Sequence, residues 1–133
     1  MKLKHVGLVC ASEENADRFY GRLLGLAKSE PKTLPRALSK ASFDVDCDLT
    51  IVNYVCADVH AEIFIAGQPR PQTGRIEHVC LEVGDLHAFI QGCRDLGARV
   101  VQVPKGDSLL TFARDLDGNL FEIKEKLADH PEK

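Results

Sequence analysis

The sequence repeats itself, and that repeat limits the possible folds more than any other feature. His5 opens the apolar run Lys4-His5-Val6-Gly7-Leu8, and His78 opens Glu77-His78-Val79-Cys80-Leu81. Each run leads into a stretch at helical spacing that closes on Leu-Gly, at Leu24-Gly25 and Leu96-Gly97. The histidine-to-glycine offset is 20 residues in the first copy and 19 in the second. Each copy later carries a glutamate inside a strand pattern, Glu62 in Ala61-Glu62-Ile63-Phe64 and Glu122 in Phe121-Glu122-Ile123. The histidine-to-glutamate separations are 57 and 44, and the extra length falls in the proline-containing connection of the first copy. Self-similarity at this period dictates architecture before any local motif is read. Two βαβββ units account for nearly the whole chain.

The periodicities place the elements. Residues 2–10 read as a strand. Ser12 then caps a helix reaching Leu24, with Ala16, Phe19, Tyr20, Leu23 and Leu24 on its apolar face. A short strand is expected at 26–30 and a short helix at 36–41, after Pro31 and Pro35 break the chain. Leu49–Cys56 and Val59–Ala66 form a hairpin across Ala57-Asp58. In the second copy a strand over 76–83 precedes a helix capped by Asp85, with Leu86, Phe89, Ile90, Cys93 and Leu96 on one face. Strands at 98–103, 108–114 and 120–125 follow, the last two joined through Asp115-Leu116-Asp117-Gly118-Asn119, where Gly118 is free to take a positive φ. The expected organisation is a first unit at 1–66, a Pro- and Gly-containing linker at 67–75, a second unit at 76–127 and a polar tail at 128–133.

Composition narrows the function classes. With 44% apolar residues the chain can build a core, and 17 basic against 20 acidic residues give a net charge of −3. The charges are interspersed, which argues against nucleic acid or a membrane surface as the partner. No apolar run approaches the roughly 20 residues that span a bilayer. The five cysteines form no CxxC pair and read as small buried hydrophobes in a reducing compartment, so a cytoplasmic location is expected.

The chemistry sits in the repeated His and Glu. A glutamate between apolar neighbours in a strand is costly to bury unless paired or bound to a cation. Two imidazoles and two carboxylates, His5, Glu62, His78 and Glu122, make an N2O2 set for a divalent metal. The set suits Zn, Ni, Co, Mn or Fe and does not choose among them. Such an ion polarises a carbonyl while a glutamate, Glu122 or Glu62, moves a neighbouring proton. His60 shares the face of Glu62 and reads as an edge or surface histidine. Cys80, two residues from His78, reads as a buried thiol, and His87 and His130 read as surface groups. The Asp115–Asn119 run lacks the later acidic ligands of a calcium loop and reads as a hairpin turn.

Taken together, the His-Val-Gly-Leu opening, Phe19-Tyr20 with Leu24-Gly25-Leu26, the strand with Glu62, the second His-Val-Cys-Leu-Glu-Val strand and Arg114 to Ile123 resemble the vicinal oxygen chelate superfamily. That superfamily contains glyoxalase I, methylmalonyl-CoA epimerase, extradiol dioxygenases and the fosfomycin and bleomycin resistance proteins. The resemblance covers residues 2 to about 126. It implies an α+β fold in which two βαβββ modules form a cupped, incomplete barrel, a His-Glu-His-Glu ligand set falling on His5, Glu62, His78 and Glu122, and a homodimer. It also implies a glyoxalase-type lyase or isomerase acting on a small molecule with vicinal oxygens, such as a thiol hemithioacetal. The alternatives within the same superfamily are a non-catalytic drug-binding module and a dioxygenase. Where short bacterial glyoxalases carry an arginine and an asparagine that grip glutathione, this chain has Val9 and Ala66, so a different substrate is expected.

Overall fold

The computed structural model describes residues 1–67 and 77–127. Within them the repeat emerges as two mixed sheets of equivalent topology. The first runs β1 (Val6–Cys10), β5 (His60–Ile65), β4 (Leu49–Val55), with the short β2 (Ala27–Lys28) and β3 (Lys32–Leu34) both pairing on β4. The second runs β6 (Val79–Val83), β9 (Leu120–Glu125), β8 (Ser108–Arg114), β7 (Val100–Lys105). In each, the first strand pairs parallel with the last, and the other pairs are antiparallel. Neither sheet closes into a barrel, and the fold is α+β. The linker expected at 67–75, apart from Gly67, and the tail at 128–133 lie outside the described residues.

Strand ends are trimmed relative to the sequence reading. β1 begins at Val6, not residue 2, because its partner β5 begins at His60 and pairs Ala61 with Val6. Residues 1–4 therefore have no ladder to join, and His5 stands at its end opposite His60. In the second sheet β7 lies at 100–105, shifted from the expected 98–103, in register with Ser108 to Ala113 of β8.

The first helix follows its cap signal: the Ser12 hydroxyl accepts from the Asn15 amide at 3.1 Å. After one turn of α1 (Glu13–Ala16) the chain widens into a π-helical segment (Asp17–Leu23). Its signature is the Leu24 amide donating to the Phe19 carbonyl, five residues back, at 2.9 Å. The wider turn keeps the sequence neighbours Phe19 and Tyr20 both fully buried. Phe19 meets Phe121 of the second sheet at 5.5 Å, while Tyr20 meets Tyr54 of the first at 5.7 Å and Phe121 at 6.2 Å. α3 (Leu86–Leu96), capped by Asp85 accepting from Ala88, lies against this segment and against β7 and β9. α2 (Arg36–Phe43) follows Pro35 and belongs to the first repeat alone.

One core thus serves both repeats, running from Val52, Tyr54 and Ile63 through Phe19, Tyr20 and Cys93 to Ala113, Phe121 and Ile123. A polar staple supports it. The turn after β8 reverses on Gly118, at φ 90°, with the Asp115 amide donating to the Asn119 carbonyl at 3.0 Å. Inside that turn Asp115 Oδ2 accepts from the Tyr20 hydroxyl and the Asn119 amide group, each at 2.7 Å. Oδ1 accepts from the backbone amides of Asp117 and Asn119 at 2.9 and 2.8 Å. Asn119 also donates to the Val9 carbonyl at 2.8 Å, so the second repeat holds the edge of β1 directly.

Candidate metal centre

Strand alternation decides where the four candidate ligands point. Ala61 and Ile63 on either side of Glu62 are buried in the core, as are Phe121 and Ile123 on either side of Glu122. Both glutamates therefore stand on the opposite, open face of their sheets. They are half-buried, with side chains 23% and 18% exposed, beside histidines 44% and 41% exposed. Their desolvation is thus smaller than their apolar sequence neighbours suggest, because those neighbours face the other way.

Within each repeat the expected pair forms. His5 Nε2 stands 3.7 Å from Glu62 Oε1, and His78 Nε2 stands 3.6 Å from Glu122 Oε1. Both separations exceed a hydrogen bond. Two ligand atoms each about 2.1 Å from a tetrahedral ion stand about 3.4 Å apart, so either gap fits a shared metal. The two pairs do not converge in one chain. Among the described residues the only group of three or more His, Cys, Asp or Glu whose ligand atoms lie within 4.8 Å is Cys10, Asp115 and Asp117. His5 lines a cavity of about 620 Å³ together with His60 and Cys80, and His78 lines an adjoining one of about 270 Å³ with Gly7, Val9 and Asn119, the two sharing Val6, Leu8 and Val79 as walls.

The Cys10–Asp115–Asp117 group escaped the sequence reading because its members are 105 residues apart and meet only through the shared core. It has the character of a structural contact. Both Asp115 oxygens already take the donors of the staple, and the Cys10 thiol adds a long contact at 3.6 Å. Burial, and the carboxylates of Asp115 and Asp117 beside it, push that thiol well above its ordinary range, away from the thiolate a metal requires. Asp117 Oδ2 is left buried without a partner.

His60 and Cys80 stand differently from what their sequence positions suggest. His60 is half-buried on the open face, its Nε2 2.7 Å from Asn53 Oδ1 and its ring 5.4 Å from that of His5. Cys80, expected to be buried, is exposed on the open face of β6 across from Glu122, and Cys47 and Cys56 are exposed as well; Cys10 and Cys93 are buried. Alternation along β6 puts Val79 and Leu81, not Cys80, against the core. His87 is exposed, and His130 lies outside the described residues.

Two equivalent βαβββ sheets, each presenting a His–Glu pair on its open face, define a class of paired-module proteins. The chain belongs to the glyoxalase/bleomycin resistance protein/dioxygenase superfamily, whose sequence profile matches residues 4–112. Among solved structures, a glyoxalase family protein from Bacillus cereus superposes with a TM-score of 0.71 at 18% identity, covering 96% of this chain and 95% of that one. A glyoxalase family protein from Enterococcus faecalis gives 0.70 at 18% identity, with 92% and 95% covered. A variant of the fosfomycin resistance protein FosX from Listeria monocytogenes, complexed with Mn(II) and 1S,2S-dihydroxypropylphosphonic acid, gives 0.68 at 13% identity, with 92% and 88% covered. At these identities the likeness is one of fold. No curated protein sequence matches the chain. No helix among the described residues is long and apolar enough to cross a membrane.

Proposed function

We propose that this protein is a metal-dependent enzyme of the glyoxalase type, a lyase or isomerase acting on a small molecule with vicinal oxygens. His5, Glu62, His78 and Glu122 hold a divalent ion, and Glu62 or Glu122 moves a proton between adjacent substrate carbons. The observation that carries this reading is the recurrence of one His–carboxylate pair, at 3.7 and 3.6 Å, on the open face of both sheets. When bound, the ion supplies Lewis-acid polarisation of a substrate oxygen. The chain's own groups orient the rest: Glu62 stands opposite Asn53 in register, and Asn53 holds the His60 ring beside the His5 imidazole.

Since the pairs stay apart within one chain, the complete site joins the first pair of one copy to the second pair of another in a homodimer. The open faces support this arrangement, carrying exposed Phe43 over Phe64 on the first sheet and exposed Val101 and Val103 on the second. The FosX complex supports an ion and a vicinal diol as ligands of this scaffold. Val9 and Ala66 give no charged or amide group for a glutathione carboxylate, so the reading favours a substrate other than the glutathione hemithioacetal.

Metal content measured after reconstitution tests the assignment. Each of His5→Ala, Glu62→Ala, His78→Ala and Glu122→Ala should weaken binding at least about tenfold, as loss of one charged or imidazole ligand implies. Unchanged stoichiometry and affinity in all four would remove the site. A turnover screen of methylglyoxal with several thiols then bears on the reaction.

A further inference from the structure

We infer that Arg99 and Arg114 form a seat for an oxyanion group of the substrate, on the open face of the second sheet beside the His78–Glu122 pair. The inference rests on the proposed function only for the chelated end of that substrate.

The register puts these residues in order. Glu122 lies opposite Phe112, and Phe112 opposite Val101, in one row across β9, β8 and β7. In the next row Leu120 pairs with Arg114, whose amide donates to the Arg99 carbonyl at 2.8 Å. His78, one residue before the Val79–Phe121 pair, heads the same row on the β6 side. Strand alternation sets all of them opposite the buried Ala113, Phe121 and Ile123. With strands about 4.8 Å apart, the Arg114 backbone lies roughly 10 Å across the face from His78. That is within reach of a short molecule held at both ends by long side chains.

Arg99 and Arg114 line one shallow cavity of about 250 Å³ whose other walls are Val101, Phe112 and Leu120. Arg114 donates through Nη1 to the Gly118 carbonyl at 2.6 Å, which fixes the direction of its side chain. Arg99 is exposed, and its side chain makes no hydrogen bond or ion pair among the described residues. Two guanidinium groups over an apolar floor, with no carboxylate among the described residues paired to Arg99, match a planar or tetrahedral oxyanion. The ligand class is therefore a vicinal-oxygen head joined by a short apolar spacer to a carboxylate, phosphate or phosphonate.

Two probes share a 2-oxocarboxylate head and a five-carbon chain but differ in the distal group: 2-oxoglutarate carries a second carboxylate and 2-oxopentanoate does not. Calorimetry on the Mn(II)-loaded protein should show 2-oxoglutarate binding at least about tenfold tighter, the scale of a charge-assisted hydrogen bond. In Arg99→Gln the preference should shrink to about twofold or less, with Mn(II) and 2-oxopentanoate affinities unchanged, and Arg99→Lys should restore part of it. Equal affinity of the wild type for the two probes, or a preference that survives Arg99→Gln, overturns the inference while leaving the metal assignment standing. If Mn(II) does not bind at all, the proposed function fails instead. The arginine seat is then read from glutarate titrated into metal-free protein: backbone amide shifts at 99 and 114 that Arg99→Gln abolishes sustain it, and their absence overturns it.

Discussion

Glu62 and Glu122 each interrupt an apolar strand, and the side on which each falls is what gives it a role. A one-residue slip would turn them into the core among Phe19 and Tyr20; the observed register turns them outward, each beside its histidine. The same alternation sorts the two strand thiols, burying Cys10 and exposing Cys80, while Cys93 is buried on the packed face of α3. Burial pushes Cys93 up to about 11, and Cys10 rises further under the added influence of two carboxylates. A raised pKa leaves both protonated at pH 8, so native labelling at that pH should modify Cys47, Cys56 and Cys80 and spare Cys10 and Cys93 until denaturant is added. Mass spectrometry of the labelled protein checks this, and rapid modification of Cys10 in the native state would contradict the packing. The candidate residues were legible in the sequence because each repeat carries one strand-opening histidine and one strand glutamate. The exposure of Cys80 and the arginine pair were not. Both depend on which partner residue a strand position meets, and that is settled by register.

At the level of elements, the helices were legible because their apolar spacing and caps are local: Ser12 and Asp85 cap where the sequence places them. The π-helical widening was not, since it answers to two sheets pressing on Phe19 and Tyr20 at once. The crossing of that segment with α3 turns on Gly92, where a Cβ would stand 2.7 Å from Leu23 Cδ1. Gly92→Leu should therefore cost about 1–3 kcal/mol through overpacking. Adding Leu23→Ala should recover part of that loss rather than add to it, the mark of residues in direct contact. Urea unfolding of the two single variants and the double variant measures the coupling, and simple additivity would place the crossing elsewhere.

For the whole molecule, the order of strands followed from the repeat, whereas the separation of the two half-sites did not, because it depends on how the repeats pack. Mixing His5→Ala chains with His78→Ala chains tests the shared-site dimer. A mixed dimer holds one doubly damaged site and one intact site, so random re-pairing should return about a quarter of the wild-type metal. A site confined to one chain would recover none. The packing of Phe19 on Phe121 makes the two copies depend on each other. A helix that served its own repeat alone would cover only its own sheet, whereas here the first copy's helix shelters the second copy's last strand. The two copies have become hostage to each other. A substitution at Phe19 is judged by the needs of residues a hundred positions away, and neither copy could be cut away without uncovering the core of the other.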